Sequence, residues 1–143
     1  MLNKATKVSV IASWLLLCIA FTAFGQHKSN KQTKPNKMNL SAITNGTAKK
    51  AIEAWQSGDA KSFIALFTSD AKLFDDGNPR DFNKFVKDAC GHERFTGIDK
   101  VENNGLHIYG NFHTESWGDF KTYFKFHLNA EGKIYRLDIG QAE

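Results

Sequence analysis

The run over residues 110–141 constrains the fold more than any other part of the chain, because its residue types alternate with a period of two. Over residues 120–128, phenylalanine, threonine and leucine occupy every second position, with lysine, tyrosine and histidine between them. This pattern predicts a β-strand with one apolar face. Residues 129–132 have the composition of a turn, and a second alternating run, 133–139, puts Tyr135 in the apolar phase. We therefore predict a long antiparallel hairpin whose apolar face must be covered.

The segments upstream of the hairpin predict helices that can cover this face. Asp59 and Asp81 can each cap a helix, and apolar residues recur at helical spacing after both of them and after Thr44 or Thr47. The predicted strands are 71–75, 98–103, 106–115, 117–128 and 133–141. This order predicts an α+β domain in which three N-terminal helices pack on a curved antiparallel sheet. Because a long twisted sheet leaves a hollow that three helices do not fill, we expect a cone with a pocket.

Three segments of different composition divide the chain. Residues 1–7 carry two lysines and no acidic residue, an almost wholly apolar stretch follows, and Ala23, Phe24 and Gly25 end the segment, which is typical of a signal peptide cleaved before Gln26. A retained membrane anchor is the alternative. Residues 26–40 are polar and basic, which indicates a flexible linker, and residues 41–143 form the folded domain. We expect an exported protein, periplasmic or secreted, that meets the membrane only through its signal segment.

Charge and cysteine content exclude some classes of protein. The first 40 residues contain six lysines and no acidic residue, which leaves the domain 13 basic against 15 acidic residues. A nucleic-acid-binding fold carries its positive charge on the folded surface, so we expect no nucleic-acid partner. Cleavage of the signal peptide would leave Cys90 as the one cysteine, so we expect a domain without internal disulfides that depends on its core.

Three short stretches carry a resemblance to a known superfamily: the corner 54–59 (AWQSGD), the run 66–73 (LFTSDAKL) ahead of Asp75, and the turn 131–134 (EGKI). With the order of elements over residues 44–141, they resemble the nuclear transport factor 2-like (NTF2-like) superfamily, and within it the SnoaL-like branch. The resemblance implies a cone-shaped fold, also found in ketosteroid isomerase, polyketide cyclases, dehydratases and pocket-bearing proteins without a known reaction. Because one fold supports many functions, the resemblance implies a fold rather than an activity.

The residue pattern of ketosteroid isomerase is only partly present. The resemblance places that enzyme's base on Asp75, its tyrosine on or near Ala51 and its second acid on Phe124, and neither alanine nor phenylalanine can donate a hydrogen bond to an oxyanion. We therefore do not expect ketosteroid isomerase activity. Asp75 remains a candidate general base whose pKa neighbouring aromatic residues would raise by burial. Alternatively, Asp75 and Asp76 only shape the turn that follows them.

Histidine supplies a second catalytic candidate. Asn111, His113 and Glu115 share one strand face by parity, so Glu115 can orient His113 as a base, or the pair can hold a metal. A solvated sheet face is the alternative, and it explains the same alternation. No third ligand has a diagnostic spacing, so we predict neither a metal nor an organic cofactor.

The predicted ligand-binding residues are Trp55, Phe74, Phe85, Phe124, Leu137 and Ile139. Core packing is the alternative for each of them, although an apolar cavity with few polar groups is the usual form of a small-ligand site. The opposite sheet face, with Lys121, Tyr123 and Lys125, resembles the surface that relatives often use to pair into dimers, so the sequence is compatible with a homodimer and leaves the oligomeric state open.

Three functional hypotheses follow. The first is an exported protein that binds a small apolar or amphipathic molecule in its pocket, without established catalysis. The second is a cofactor-independent isomerase, cyclase or dehydratase that uses Asp75 as general base and His113 as its partner. The third is an envelope protein that binds partners through the convex sheet face.

Overall fold

The structure, a computed structural model, describes residues 38–143. The predicted signal peptide and most of the predicted linker lie outside the described residues. Met38 and Leu40, which the prediction assigned to the linker, are partly buried against the core, and Leu40–Ala42 forms a short 3-10 helix. Within residues 38–143, no helix is long and apolar enough to cross a membrane.

The described part of the chain contains the helices α1 (Gly46–Ser57), α2 (Ala60–Ala65) and α3 (Phe82–Ala89). Asp59 and Asp81 cap α2 and α3, as predicted. The cap of α1 is Asn45 instead of either predicted threonine. Its Oδ1 accepts hydrogen bonds from the backbone N–H groups of Thr47 and Ala48, both at 3.0 Å. One asparagine oxygen thereby satisfies two amides that have no partner inside the helix.

Six strands form one curved sheet: β1 (Phe67–Asp75), β2 (Asn78–Arg80), β3 (Glu93–Glu102), β4 (His107–Thr114), β5 (Gly118–Leu128) and β6 (Ile134–Gln141). Their order is β2-β1-β6-β5-β4-β3. The predicted antiparallel run from β3 to β6 is confirmed. However, β1 pairs with β6 in parallel, so that Leu73 lies opposite Leu137, and the prediction of a wholly antiparallel sheet is wrong at this pair. Alternation predicts that a strand exists but does not select its partner.

The two faces of β5 are those that the alternation predicts. Thr122, Phe124 and Phe126 are buried, whereas Lys121 and Tyr123 are not. We call the face that carries Phe124 the inner face and the opposite one the outer face. The α1 helix packs on the inner face through Trp55, whose ring meets the Phe124 ring edge-on with 5.5 Å between centroids. The core therefore lies between the helices and the inner face.

Two details of the predicted elements are wrong, although the predicted place of α3, between the first strand and β3, is confirmed. The chain forms the short strand β2 where only a turn was expected. The third strand begins at Glu93, ahead of the predicted residue 98. Its pairing with β4 shifts register between Phe95 and Gly97, and again between Ile98 and Lys100. These irregularities interrupt the two-residue period, which hides the first half of the strand from pattern analysis.

The predicted phase of β6 is also wrong at its start. Ile134 is buried, whereas Tyr135 is 46% exposed. The pairing of β5 with β6 shifts between His127 and Leu128, and this irregularity displaces the alternation of β6 by one residue before Leu137.

Candidate functional site

A cavity of about 350 Å³ lies on the inner face at one end of the sheet. We call it the sheet-end cavity. Here β1 and β6 end, β4 turns into β5, and β3 begins, with Asp75 opposite Ile139 and Glu93 opposite Thr114. The apolar wall of the cavity consists of Phe85, Phe112, Phe120, Phe124 and Ile139. The rest of the lining consists of Asp75, Asp76, Arg80, Glu93, Thr114, Trp117, Thr122, Gly140 and Gln141. The site thus combines an aromatic wall with carboxyl groups.

The sheet curls enough that strands far apart in the strand order line the same cavity. Asp75 is on β1 and Glu93 is on β3, and the strands β6, β5 and β4 lie between them. Both residues nevertheless line the sheet-end cavity, and the charge of Asp75 acts on the Glu93 carboxyl. Strand twist accumulates across a sheet and produces this curl.

Asp75 faces the cavity because it has the same parity on β1 as the buried Leu73. Its Oδ2 lies 3.2 Å from Nη2 of Arg80, and the Asp75 side chain is 33% exposed. The strand β2, which the sequence did not predict, places this arginine beside Asp75 through the pairing of Leu73 with Arg80. The candidate base is therefore part of an ion pair at the rim of the cavity.

The neighbouring Asp76 makes the contacts that close the turn after β1. Its backbone has a positive φ of 47°, in the left-handed region that aspartate tolerates. Its Oδ1 accepts a hydrogen bond from the backbone N–H of Gln141 at 3.0 Å, and its own N–H donates to the carbonyl of Ile139 at 2.9 Å. Asp76 thus ties the end of β1 to β6 and leaves the Asp75 carboxylate directed into the cavity.

Glu93 is the site residue that sequence analysis missed. It shares its parity with the buried Phe95, so its side chain lies on the inner face. Burial raises the pKa of its carboxyl, the charge of Asp75 raises the pKa further, and His92 has a weaker opposite effect. The spacing of Glu93 and Phe95, two residues apart, could have indicated that both face the core. The predicted strand starts at residue 98, after both of them.

The hydroxyl groups of the two threonines in the cavity are hydrogen-bonded to the backbone. The Thr122 hydroxyl donates to the carbonyl of Gly140 at 2.8 Å, and the Thr114 hydroxyl accepts from the backbone N–H of Trp117, also at 2.8 Å. Both side chains are almost fully buried. These bonds fix the strand ends around the cavity and leave its carboxyl groups as the strongest polar features.

Among the predicted ligand-binding residues, Phe85, Phe124 and Ile139 line the sheet-end cavity. Trp55 and Leu137 are fully buried and belong to the core instead. Trp55 still supports the site, because its ring stacks on the Phe85 ring with 5.4 Å between centroids. Phe74 lies on the outer face, where the Arg136 guanidinium sits 4.2 Å above its ring. Phe74 cannot contact a molecule in the cavity, since successive residues of a strand face opposite sides.

The structure does not bring His113 to Asp75. His113 alternates with the buried Phe112 on β4 and therefore lies on the outer face. Its Nδ1 is 2.6 Å from Oδ1 of Asp119, whereas Glu115, its predicted partner, lies 3.4 Å from Nδ1 of His92. Within residues 38–143, no group of three or more histidine, cysteine, aspartate or glutamate side chains is arranged to hold a metal ion.

No protein-family model and no curated protein matches the chain. Solved structures do match it. An NTF2-like protein of unknown function from Cytophaga hutchinsonii is 12% identical, with a TM-score of 0.56, over 69% of this chain and 89% of that one. A protein from Sphaerobacter thermophilus is 16% identical, with a TM-score of 0.58, over 71% of this chain and 98% of that one.

The orange carotenoid protein of Anabaena (Nostoc) sp. PCC 7120, solved with canthaxanthin bound, also matches. It is 20% identical with a TM-score of 0.55, over 68% of this chain. The match spans 36% of that longer protein. At such identities these likenesses show the fold alone, and membership of the SnoaL-like branch stays a prediction. The fold itself is shown: the described part of this chain has the NTF2-like fold.

Proposed function

We propose that this domain binds a small apolar or amphipathic molecule in the sheet-end cavity. The observation that carries the proposal is the lining itself: a wall of four phenylalanines and Ile139 faces a few carboxyl groups in a space of about 350 Å³. Ligand sites have this composition, and their volumes begin at about 300 Å³.

The aromatic wall is held in place before any ligand arrives. Phe124 contacts Trp55 and Phe95, with centroid distances of 5.5 and 5.0 Å, and Phe120 contacts Phe112 at 5.9 Å. A wall whose side chains are already packed loses little conformational freedom on binding, which favours affinity. The canthaxanthin of the orange carotenoid protein is consistent with an apolar ligand in this fold, although the likeness carries the fold only.

Binding of the uncharged fluorescent probe N-phenyl-1-naphthylamine tests this proposal. We expect one probe molecule per domain and a rise in probe emission. The variant Phe120→Asp places a charge on the apolar wall and should weaken binding at least about tenfold, which corresponds to about 1.4 kcal/mol. Tyr135→Asp makes the same kind of change at an exposed position away from the cavity and should leave binding unchanged. Equal affinity of the two variants, or no binding by the wild type, would contradict the proposal.

A cofactor-independent proton-transfer reaction is the second candidate, and one observation favours it. Asp75 and Glu93 line the same cavity in different surroundings, Asp75 ion-paired to Arg80 and Glu93 with a pKa raised by burial. Such differences between two acids are the usual basis of acid and base roles. In this version Asp75 accepts a proton and Glu93, in place of His113, donates one.

A compound captured from the protein's own cells, identified by native mass spectrometry, separates the two candidates. If the domain is an enzyme, the wild type converts the compound, and Asp75→Asn retains affinity but loses about 10²-fold or more of the rate. If the compound returns chemically unchanged from the wild type, the enzyme candidate fails and the binding proposal stands.

We also propose that residues 1–25 act as a cleaved signal peptide and that the mature protein is exported. The apolar stretch followed by Ala23, Phe24 and Gly25 supports this proposal. The intact mass of protein from the cell envelope or the culture medium should correspond to a chain that begins at Gln26. A mass that includes Met1 would favour a retained anchor.

A further inference from the structure

The charges around the sheet-end cavity are mostly negative. Asp75, Asp76 and Glu93 line it, and Arg80 is the one cationic residue of the lining among the residues that the structure describes. A second groove, which shares Asp75, Arg80, Phe85 and Glu93 with the cavity, adds Asp81, Lys84 and Asp88. A mouth with this excess of carboxylates attracts cations and repels anions.

Most of these charged groups already have a partner inside the protein. Arg80 pairs with Asp75 at 3.2 Å, and Lys84 pairs with Asp88. The Asp76 carboxylate accepts from the Gln141 amide and the Asp81 carboxylate from the Lys84 amide, so both are used by the backbone. An anionic ligand would therefore have to break an ion pair in order to reach a cation.

Glu93 differs from the other carboxyl groups of the cavity. It is partly buried on the inner face, and within residues 38–143 its carboxyl makes no hydrogen bond or ion pair to a side chain. A partly buried carboxylate without a partner is costly, and a cation that enters the cavity can remove this cost. Glu93 is thus the one acid of the lining that is free to bind a ligand.

An exposed tryptophan stands at the same mouth. Trp117 lines the cavity while the residue remains 83% exposed, in the turn between β4 and β5. Phe112 and Phe120 line the cavity nearby, on the strands that this turn joins. Aromatic faces attract ammonium groups, tryptophan most strongly, and this attraction grows when water is excluded.

From these observations we propose that the ligand is a cationic amphiphile, an amine whose ammonium group binds Glu93 and the Trp117 ring while its apolar body packs on the phenylalanine wall. This inference rests on the proposed binding function and names its ligand class. A primary amine is protonated at neutral pH, so alkyl amines are suitable probes.

Titration calorimetry with n-octylamine, n-octanol and sodium octanoate tests the proposal, because these probes share one chain and differ in head-group charge. We expect octylammonium to bind at least about tenfold more tightly than octanol, a difference of about 1.4 kcal/mol, and octanoate to bind more weakly than octanol. Added salt should weaken only the binding of octylammonium relative to octanol. If octanol or octanoate binds as tightly as octylammonium, the cationic class is wrong but the binding function stands. If none of the three binds while N-phenyl-1-naphthylamine does, the cationic class is wrong and the binding function stands; if N-phenyl-1-naphthylamine does not bind either, both proposals fail.

Two variants and one control variant test where the ammonium group binds. Glu93→Gln keeps the size of the side chain and should weaken octylammonium about tenfold while octanol changes less than about twofold. Asp99→Asn removes one negative charge on the outer face, where Asp99 pairs with Lys121, and should change neither affinity. Trp117→Ala, at an exposed position, should weaken octylammonium about threefold, as expected for a cation on an aromatic ring. Equal loss of octylammonium affinity in Glu93→Gln and Asp99→Asn would overturn the assignment.

Discussion

Glu93 illustrates how a partly buried acidic side chain can reduce the stability of the folded state. Burial and the charge of Asp75 raise the pKa of its carboxyl above the ordinary value of 4.5. The folded state therefore binds the Glu93 proton more tightly than the unfolded state does. Protonation of Glu93 therefore stabilises the folded state. This stabilisation is fully present below the pKa that Glu93 has in the unfolded state, and it is lost as the pH rises through the pKa of the folded state.

We predict that Glu93→Gln raises the free energy of unfolding by more at about pH 7 than at about pH 4, because only the ionised carboxylate resists burial. Urea denaturation at both pH values measures the difference. The same change at Glu131, on an exposed turn, controls for the loss of one negative charge and should have the smaller effect. If Glu93→Gln raised the free energy of unfolding by less at pH 7 than at pH 4, the ionised Glu93 carboxylate would not be destabilised by its surroundings.

Gly140 illustrates a second constraint at the residue scale, which is space. A Cβ added at Gly140 would overlap the Asp76 carboxylate and the Tyr123 hydroxyl. These two side chains approach the β6 backbone closely at Gly140. Glycine is thus required by the close approach of its neighbours rather than by its dihedral angles.

We predict that Gly140→Ala lowers the free energy of unfolding by about 1–3 kcal/mol, the usual cost of overpacking. Gly46→Ala is the matched control, because nothing lies within 4 Å of its added Cβ, and it should change stability by less than about 0.5 kcal/mol. Thermal denaturation of both variants measures the difference. Equal stability of the two would show that Asp76 and Tyr123 are not packed as the structure has them.

At the scale of elements, the helix α3 supplies the wall of the sheet-end cavity that lies opposite the sheet. This helix carries Phe85 to the cavity, and its first turn depends on Asp81, whose Oδ1 accepts from the Lys84 amide at 2.7 Å. We predict that Asp81→Ala lowers the free energy of unfolding by about 1 kcal/mol. Asp81→Asn keeps a capping oxygen and should therefore retain most of the wild-type stability. Urea denaturation checks the order. A larger loss in Asp81→Asn than in Asp81→Ala would contradict the capping role.

The elements that the sequence predicted are those whose signals are local. The alternation of β5, the caps Asp59 and Asp81, and the helical periods all depend on neighbours within a few residues, and they are confirmed. The short strand β2, the parallel pairing of β1 with β6 and the early start of β3 depend on contacts between distant segments. Local patterns carry little information about such contacts.

The candidate site was predictable only in part for the same reason. Asp75, Phe85, Phe124 and Ile139 were proposed from the sequence and line the cavity, but Glu93 was not proposed. The importance of Glu93 arises from the curl of the sheet, which brings β3 around to β1. That curl is a property of all six strands together, so no single segment encodes it.

For the whole molecule, the outer face is the remaining surface with a predicted role. It carries Lys125 above the rings of Tyr109 and Tyr123, with the ammonium 5.7 and 4.4 Å from the two centroids. The sequence is compatible with a homodimer, and we predict that two copies pair through this face. Sedimentation equilibrium should then show a dimer for the wild type and a monomer for the double variant Lys121→Glu, Lys125→Glu, with probe binding in the cavity preserved. A wild type that stays monomeric at high concentration would contradict this prediction.

The central claim for the whole molecule is that the sheet-end cavity, on the inner face, is where a ligand binds. Nuclear magnetic resonance of the labelled domain, titrated with N-phenyl-1-naphthylamine, tests this claim most directly. We predict the largest shifts at the methyl groups of Ile139 and Thr122 and at the indole N–H of Trp117, which all line the cavity. The methyl group of Ala142, in the cleft of the outer face, should not shift. The largest shifts at Ala142, with Ile139 and Thr122 unchanged, would contradict the claim.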